Sequence, residues 1–244
     1  MSSRVLSPTY IFLIIWLSLT SCLRLKNHRI NTNININLIR SSSTRLYCRG
    51  EYESFDDLKF AILGGGAFSL AMTKVLSYKN ISSTLLVRNQ DVADHINRYH
   101  YHPKYLNESL LPSQLWATSD PSVALRNADY IIHAVPMQES RKFLVSMKPH
   151  LPPDVPILSV TKGVELATFS LMNDVISETL GPERRTAYLS GPSFAQEIMD
   201  GEATAVVIAS ANDALSKELS EILSSVAFRC HTSRDVKVSY YYTA

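Results

Sequence analysis

The sequence predicts an α/β fold in which helices cover both faces of a doubly wound, mainly parallel sheet. From residue 59 onward, short apolar runs alternate with longer amphipathic stretches, a pattern typical of strands that alternate with helices. Three consecutive glycines join the first apolar run to the first amphipathic stretch. Such alternation buries parallel strands between two layers of helices.

The apolar runs are predicted as strands and the amphipathic stretches as helices, in chain order. The predicted strands are 59–63, 84–87, 130–135, 156–160, 188–190, 203–209 and 226–230. The predicted helices are 67–78, 91–99, 123–126, 139–147, 166–180 and 213–223. In the last helix Asn212 is a favourable N-cap, and Leu215 and Leu219 recur at helical spacing. We therefore expect one domain over residues 59–238, followed by a divergent tail over 239–244.

The glycine turn lies in residues 60–71, FAILGGGAFSLA, and predicts the phosphate-binding loop of a Rossmann-like fold. Gly64 permits the tight turn, and Gly66 lets a pyrophosphate approach the backbone. Free N–H groups at the start of the helix attract the anion. Ser69 stands where a third glycine is usual, and its small side chain loosens the motif without excluding it. A tight βα turn without a ligand stays open as the alternative.

The end of the second predicted strand bears on the choice between NAD and NADP. An NAD-selective site places an acidic residue about 20 residues after the glycines, but residues 85–89, LLVRN, contain none. Arg88 is therefore a candidate partner for the 2′-phosphate of NADP, with an exposed surface arginine as the alternative. The predicted cofactor is NAD or NADP.

Charge divides the chain at about residue 50. Residues 1–50 hold seven basic residues and no acidic one, whereas residues 51–244 hold 17 basic and 22 acidic residues. The acidic remainder carries no basic stripe, so nucleic acid is not expected as a partner. Two of the three cysteines also fall before residue 50, which leaves Cys230 as a single thiol in an apolar run. We interpret Cys230 as a buried small residue rather than a nucleophile.

The basic segment predicts targeting rather than folding. Its apolar run, residues 10–19, is shorter than the roughly 20 residues that span a bilayer and suits the core of a signal peptide. We predict a signal peptide over 1–22 and a transit-like leader over 23–50, which is rich in Arg, Asn and Ser. The pair indicates two-step import into a plastid, with secretion or a signal anchor as the alternative. No stable membrane anchor is expected in the mature chain.

Three further motifs give the chain a specific resemblance. HAVPMQESRKFL (133–144), LSVTKGVE (158–165) and LSGPSFAQEI (189–198) follow the glycine loop in this order. With KYL (104–106) and TSRDV (232–236), they resemble NAD(P)-dependent glycerol-3-phosphate dehydrogenases of the bacterial and plastid type over about residues 59–236. His133, within the first motif, is interpreted as a core or sheet-end histidine rather than a base. No histidine spacing is typical of a metal site, so no metal is predicted.

The resemblance implies roles for particular residues. Ala67 and Phe68 match positions that touch the cofactor phosphates, Arg88 a position near the adenosine ribose, and Ala195 a position beside the cofactor. Lys162 matches a catalytic lysine close to cofactor and substrate, and Gly191 and Ser193 match substrate-binding positions. A lysine ammonium is suited to polarise the ketone of dihydroxyacetone phosphate, whose oxygen gains negative charge as hydride arrives. The implied reaction is reversible reduction of dihydroxyacetone phosphate to sn-glycerol 3-phosphate for glycerolipid synthesis.

The resemblance ends before the second, helical domain of the family, which supplies a further lysine. Beyond residue 236 the sequence reads KVSYYYTA, without a matching motif, so we expect that domain to be absent. Three hypotheses remain open: an incomplete copy of the enzyme, a dinucleotide-binding module without turnover, and another dehydrogenase of the same superfamily. The chain alone is expected to be weakly active or inactive. The oligomeric state is also open, with a homodimer as one option.

Overall fold

The computed structural model of the chain describes residues 55, 57–106 and 109–237. The predicted signal peptide, the transit-like leader and the tail at 239–244 lie outside the described residues. The strands are β1 (Lys59–Leu63), β2 (Ser82–Leu86), β3 (Leu115–Thr118), β4 (Tyr130–His133), β5 (Ile157–Ser159), β6 (Thr186–Ser190), β7 (Thr204–Ala209) and β8 (Phe228–Ser233). The helices are α1 (Ala67–Ser77), α2 (Gln90–Tyr99), α3 (Pro121–Ala124), α4 (Met137–Met147), α5 (Met172–Leu180), α6 (Ala195–Met199) and α7 (Asp213–Leu223).

All eight strands form one sheet in the order β3-β2-β1-β4-β5-β6-β7-β8. Neighbouring strands are parallel except for β6 and β7, which are antiparallel. The first six strands therefore have the order of a Rossmann fold, and the predicted doubly wound, mainly parallel sheet is confirmed. Strand order reverses between β1 and β4, where Leu63 lies beside His133. Ligands of such sheets bind outside the carboxyl ends of the strands at this reversal.

The core is split into two layers because successive side chains of a strand point to opposite faces. Phe60 and Ile62 of β1 belong to the larger apolar cluster, together with buried residues of α1, α2, α6 and α7. Ala61 and Leu63 belong to the second cluster, together with buried residues of α3, α4 and α5. Strands buried on both faces read as continuous apolar runs, which is why β1 was recognisable from sequence.

Most predicted elements agree with the structure to within three residues at each end, and three elements differ by more. The predicted helix 166–180 is wrong over its first part, because α5 begins at Met172 and Phe169 has a positive φ of 56°. β3 was not predicted, and α6 was expected only as a helix after the Gly-Pro-Ser turn, without bounds. β3 has four residues with Trp116 exposed, and α6 has five residues, so neither provides a periodic apolar pattern.

Side chains close both outer strands of the sheet. At β3, the Asn97 amide donates to the Ala117 carbonyl oxygen (2.8 Å) and accepts from the Ala117 N–H (2.7 Å). At β8, the Cys230 N–H donates to Ser224 Oγ (3.1 Å), and Ser220 Oγ donates to the Cys230 carbonyl oxygen (3.0 Å). At Phe228, the N–H donates to Ser225 Oγ (3.1 Å), and the carbonyl oxygen accepts from the backbone N–H of Ser225 (2.7 Å).

Candidate functional site

The glycine turn lies at the strand reversal. Gly64 has a φ of +115°, and its N–H donates to the Leu86 carbonyl oxygen at 3.1 Å. A Cβ atom added to Gly64 would lie 2.7 Å from the carbonyl oxygen of Ala134, which follows β4. Both the backbone conformation and the close approach of two chain segments therefore require glycine here.

Gly66 differs from Gly64 because it faces open space. It is the N-cap of α1 with an ordinary φ of −82°, and a Cβ added to it would meet no atom within 4 Å. No acidic residue lies in the first turn of α1 and no side chain caps it. The positive end of this helix is therefore available to an anion, and the lack of a side chain at Gly66 leaves room for that anion to reach the backbone.

Ser69 fills the position where a third glycine is usual. Its side chain is completely buried in α1, and among the described residues its hydroxyl oxygen has no hydrogen-bond partner. The substitution is sterically accommodated, although an unpaired buried hydroxyl costs about 1–3 kcal/mol. Ala67 and Phe68, the two positions before it, are partly buried.

Lys162 is the centre of a cluster that three separate motifs build. It follows β5 and is half-buried, and its Nζ lies 3.1 Å from the Gly191 carbonyl oxygen. Nζ is also 3.4 Å from both the carbonyl oxygen and the hydroxyl oxygen of Ser193. The Phe68 ring lies beneath the ammonium, with 5.5 Å between Nζ and the ring centroid. Partial burial lowers the pKa of Lys162 because desolvation disfavours the charged form.

The turn after β6 presents the oxygen atoms that Lys162 contacts. Gly191 has a φ of +142°, and a Cβ added to it would lie 3.0 Å from the Ala205 carbonyl oxygen. Ser193 is buried, and its hydroxyl donates to the Gly191 carbonyl oxygen at 3.4 Å. The turn leads into α6, which begins at Ala195 and packs against α1. This packing brings the lysine, the turn and the glycine loop to one end of the sheet.

Arg88 lies apart from this cluster. It stands two residues after the end of β2 and is exposed. No described hydrogen bond or ion pair of Arg88 joins it to Lys162 or to the glycine turn. Its position beside the first βα turn is the one that the ribose end of a bound dinucleotide approaches in this fold.

Thr161, next to Lys162, is a residue that the sequence analysis did not single out. Its hydroxyl donates to the Val135 carbonyl oxygen (2.8 Å) and lies 3.1 Å from Nδ1 of His133. A neutral His133 with its proton on Nδ1 is the tautomer that suits this geometry, since the Thr161 hydroxyl then accepts from the ring and donates to Val135. Thr161 is the first residue of the Thr-Lys-Gly motif, so this motif was the feature of the sequence that could have pointed to it. Its contact joins the segment after β5 to the segment after β4.

His133 is completely buried, which confirms its interpretation as a core residue. Burial lowers the pKa of His133 from 6.5 to about 4, because the charged ring would lose its solvation. Between these two values the unfolded chain binds a proton that the folded chain does not. The free energy of unfolding is therefore expected to fall as the pH falls through this window.

We expect His133→Leu to flatten this pH dependence. Between pH 7.5 and 5.0, His133 should cost the wild-type chain about 2 kcal/mol of unfolding free energy, a loss that the variant cannot show. Urea unfolding at both pH values measures the difference for each protein. His150→Asn, which replaces an exposed histidine, is the matched control. Equal pH dependence in wild type and His133→Leu would contradict the assignment of a neutral buried ring.

Metal ligands, a reactive thiol and a membrane-spanning helix are three further features to consider in the described part of the chain. Residues 55, 57–106 and 109–237 contain no group of three His, Cys, Asp or Glu side chains placed to hold a metal ion. Burial raises the pKa of Cys230 to about 12, so its thiol stays protonated near neutral pH, as expected for a residue that is not a nucleophile. No helix in the same residues has both the length and the apolar character to cross a bilayer.

The chain is similar to known proteins over most of its length. A family model described as NAD-dependent glycerol-3-phosphate dehydrogenase N-terminus matches residues 59–216. The chain is 39% identical over 181 residues to the chloroplastic glycerol-3-phosphate dehydrogenase [NAD(+)] of Oryza sativa, covering 73% of this chain and 41% of that protein. It is 36% identical to the glycerol-3-phosphate dehydrogenase [NAD(P)+] of Nitratidesulfovibrio vulgaris, covering 74% and 55%.

A solved structure shows the same fold. The crystal structure of glycerol-3-phosphate dehydrogenase from Coxiella burnetii superposes with a TM-score of 0.69 at 30% identity, covering 74% of this chain and 55% of that one. The chain spans about half the length of the curated relatives that it matches. The residues matched by the family model, 59–216, include the glycine turn, Lys162 and the turn after β6.

Proposed function

The chain belongs to the NAD-dependent glycerol-3-phosphate dehydrogenase family, and from this membership we propose that it forms the dinucleotide-binding part of such an enzyme. The proposed reaction is reversible hydride transfer between NADH or NADPH and dihydroxyacetone phosphate. Its product, sn-glycerol 3-phosphate, is assigned to glycerolipid synthesis. The single observation that carries the proposal is the contact of Lys162 with Gly191, Ser193 and Phe68.

The residues of the glycine turn fit a dinucleotide. The open space at Gly66 and the acid-free first turn of α1 suit a pyrophosphate held by the backbone N–H groups of Ala67 and Phe68. Ala195 begins the helix beside α1 and is assigned to a position beside the cofactor. The bound cofactor supplies the hydride. Gly64 keeps the turn closed against Ala134, which shapes the floor of this site.

The Lys162 cluster fits the polar substrate. Two carbonyl oxygens and a hydroxyl orient the ammonium, so its position is fixed before a ligand arrives. An ammonium held in a half-buried site stabilises negative charge on a ketone oxygen more strongly than one in water. The lowered pKa of Lys162 also makes its proton easier to share with that oxygen. Gly191 and Ser193 are assigned to the substrate's remaining oxygen atoms.

Arg88 supports acceptance of NADP as well as NAD. The segment after β2 offers no carboxylate to the ribose hydroxyls, and an exposed guanidinium there is suited to pair with a 2′-phosphate. NADPH is therefore expected to bind at least as tightly as NADH.

We also assign residues 59–238 to one domain and residues 1–50 to a leader that directs the chain to a plastid. The leader's composition and the chloroplastic relatives from rice and Arabidopsis thaliana support this assignment, while the bacterial relatives show that the family is not confined to plastids. A fluorescent protein fused after residue 50 tests it. Retention of the fusion in the secretory pathway or the cytosol would contradict plastid import.

Titration of the purified chain with NADH and NADPH tests the proposed cofactor site. We expect saturable binding, followed by nucleotide fluorescence, and a dissociation constant raised about tenfold or more in Gly66→Ala, since the added methyl group occupies the open space at the turn. The same variant should lose no more than about 1 kcal/mol of stability. Binding that is unaffected by Gly66→Ala would show that the cofactor lies elsewhere. Binding without oxidation of NADH by dihydroxyacetone phosphate would favour a module without turnover.

A further inference from the structure

The segment that carries Lys162 is a loop held mainly by polar contacts. It connects β5 to α5, and Gly163 within it has a positive φ of 98°. The loop folds around Glu165, whose N–H donates to the Ser170 carbonyl oxygen (3.0 Å) and whose carbonyl accepts from Phe169 (2.8 Å). Its apolar side chains contribute little, since Leu166 is 70% and Phe169 81% exposed. Hydrophobic burial therefore does not fix the position of this loop.

Gln138 binds the loop on both sides of Glu165. Its amide nitrogen donates to the Val164 carbonyl oxygen (2.8 Å), and its amide oxygen accepts from the Leu166 N–H (3.0 Å). Both polar groups of one side chain are thus paired with backbone, as a neighbouring strand would pair them. Gln138 lies in the first turn of α4, the helix that follows the segment touching Gly64.

Arg141 binds Glu165 itself from the next turn of the same helix. Nε and Nη2 donate to the Glu165 carboxylate at 2.9–3.1 Å, and Nη1 donates to Glu178 of α5 at 2.7 Å. Thr168 adds a hydroxyl donor to Glu165. Hydrogen bonds from Arg141 and then Thr168 hold the pKa of Glu165 below its usual range. Glu165 is only 6% exposed, and a buried carboxylate is stable only when it is paired.

We propose that Gln138 and Arg141 are positioning residues that hold the β5–α5 loop so that the Lys162 ammonium stays on Gly191 and Ser193. Positions 138 and 141 share one face of α4, since residues three apart on a helix are neighbours. The polar partners of Lys162 lie in a different segment, the turn after β6. The loop is therefore held by α4 at residues 164–166 and presents its lysine, two residues earlier, to that turn. The catalytic consequence rests on the proposed function, whereas the placement of Lys162 does not.

The test measures Lys162 directly in the full 244-residue chain. Trace acetylation with acetic anhydride across a pH series, read out by peptide mass spectrometry, gives the midpoint of Lys162 reactivity without any substrate. We expect Arg141→Met and Gln138→Ala to shift this midpoint upward, because a released loop returns the ammonium to water. The midpoint of Lys217, exposed on α7, is the internal reference. An unchanged Lys162 midpoint in both variants would overturn the proposal.

Two further variants separate positioning from general destabilisation. Arg185→Met removes an exposed ion pair to Glu218 (3.9 Å) in another part of the fold and should leave the Lys162 midpoint unchanged. Arg141→Lys keeps the charge but loses the planar guanidinium that donates to both oxygens of Glu165, and should give an intermediate shift of the Lys162 midpoint. If Arg141→Met does not fold, Gln138→Ala and Arg141→Lys still test the proposal. An unchanged Lys162 midpoint in both of these variants would overturn it. A shift in a chain that binds no NADH would leave the positioning role standing while the proposed function fails.

Discussion

Gly64→Ala is expected to destabilise the fold by about 2–6 kcal/mol, the sum of a strained backbone and an overpacked contact. At a φ of +115° an alanine adopts a conformation that side chains rarely reach, and its methyl carbon would lie 2.7 Å from the Ala134 carbonyl oxygen. The contact cannot relax easily, because the obstacle is backbone next to a central strand. Urea unfolding at pH 7.5 measures the loss of unfolding free energy directly.

The comparison with Gly66→Ala makes this result informative. The two glycines are separated by one residue, yet only Gly64 has a positive φ and a close neighbour. Gly64→Ala should lower stability and nucleotide binding together, whereas Gly66→Ala should lower nucleotide binding with stability nearly intact. A Gly64→Ala chain as stable as wild type would show that the segment after β4 lies further from the turn than the structure places it.

Lys162→Met is expected to weaken binding of glycerol 3-phosphate to the NAD⁺-saturated chain by about 10–100-fold, since hydrogen bonds to charged groups contribute about 1.5–3 kcal/mol. Methionine keeps the length of the side chain and its contact with Phe68, but it removes the ammonium from the oxygen-lined cluster. Where turnover is measurable, kcat/KM for dihydroxyacetone phosphate should fall by roughly 10²–10³. Isothermal titration calorimetry measures the first quantity, and NADH oxidation followed by absorbance measures the second.

Lys217→Met is the matched control because it removes the same charge from an exposed position on α7. It should leave glycerol 3-phosphate binding unchanged. NADH binding to Lys162→Met should change less than glycerol 3-phosphate binding, since the glycine turn is intact. Equal effects of the two lysine variants on glycerol 3-phosphate binding would remove Lys162 from the proposed substrate site.

Sequence reasoning reached the glycine turn because its constraint is local. The turn, the strand before it and the helix after it are consecutive in the chain, and the positive φ at position 64 follows from the turn itself. The sheet was predictable for a similar reason, because β1 and β4 are buried on both faces and read as apolar runs. The antiparallel pairing of β6 with β7 leaves no such mark, since strand direction depends on how the connection folds.

The Lys162 loop lay beyond sequence reasoning because distant residues hold it. Its apolar and helix-favouring residues suggested a helix from 166, but Gln138 and Arg141, 24 to 28 residues earlier, capture its backbone and Glu165 instead. The contact of Lys162 with Gly191, 29 residues later, has the same character. The resemblance to a family named Lys162 and Gly191 separately, and only the packed structure shows that they touch.

The side chains that close β3 and β8 bear on how the chain behaves at high concentration. An uncovered outer strand is a template on which another molecule can add a strand, and such additions begin intermolecular aggregation. Here Asn97, Ser220, Ser224 and Ser225 already occupy the outward-facing donors and acceptors at 117, 228 and 230. Even a sheet of eight strands therefore offers no free backbone row at these positions for a second molecule to extend.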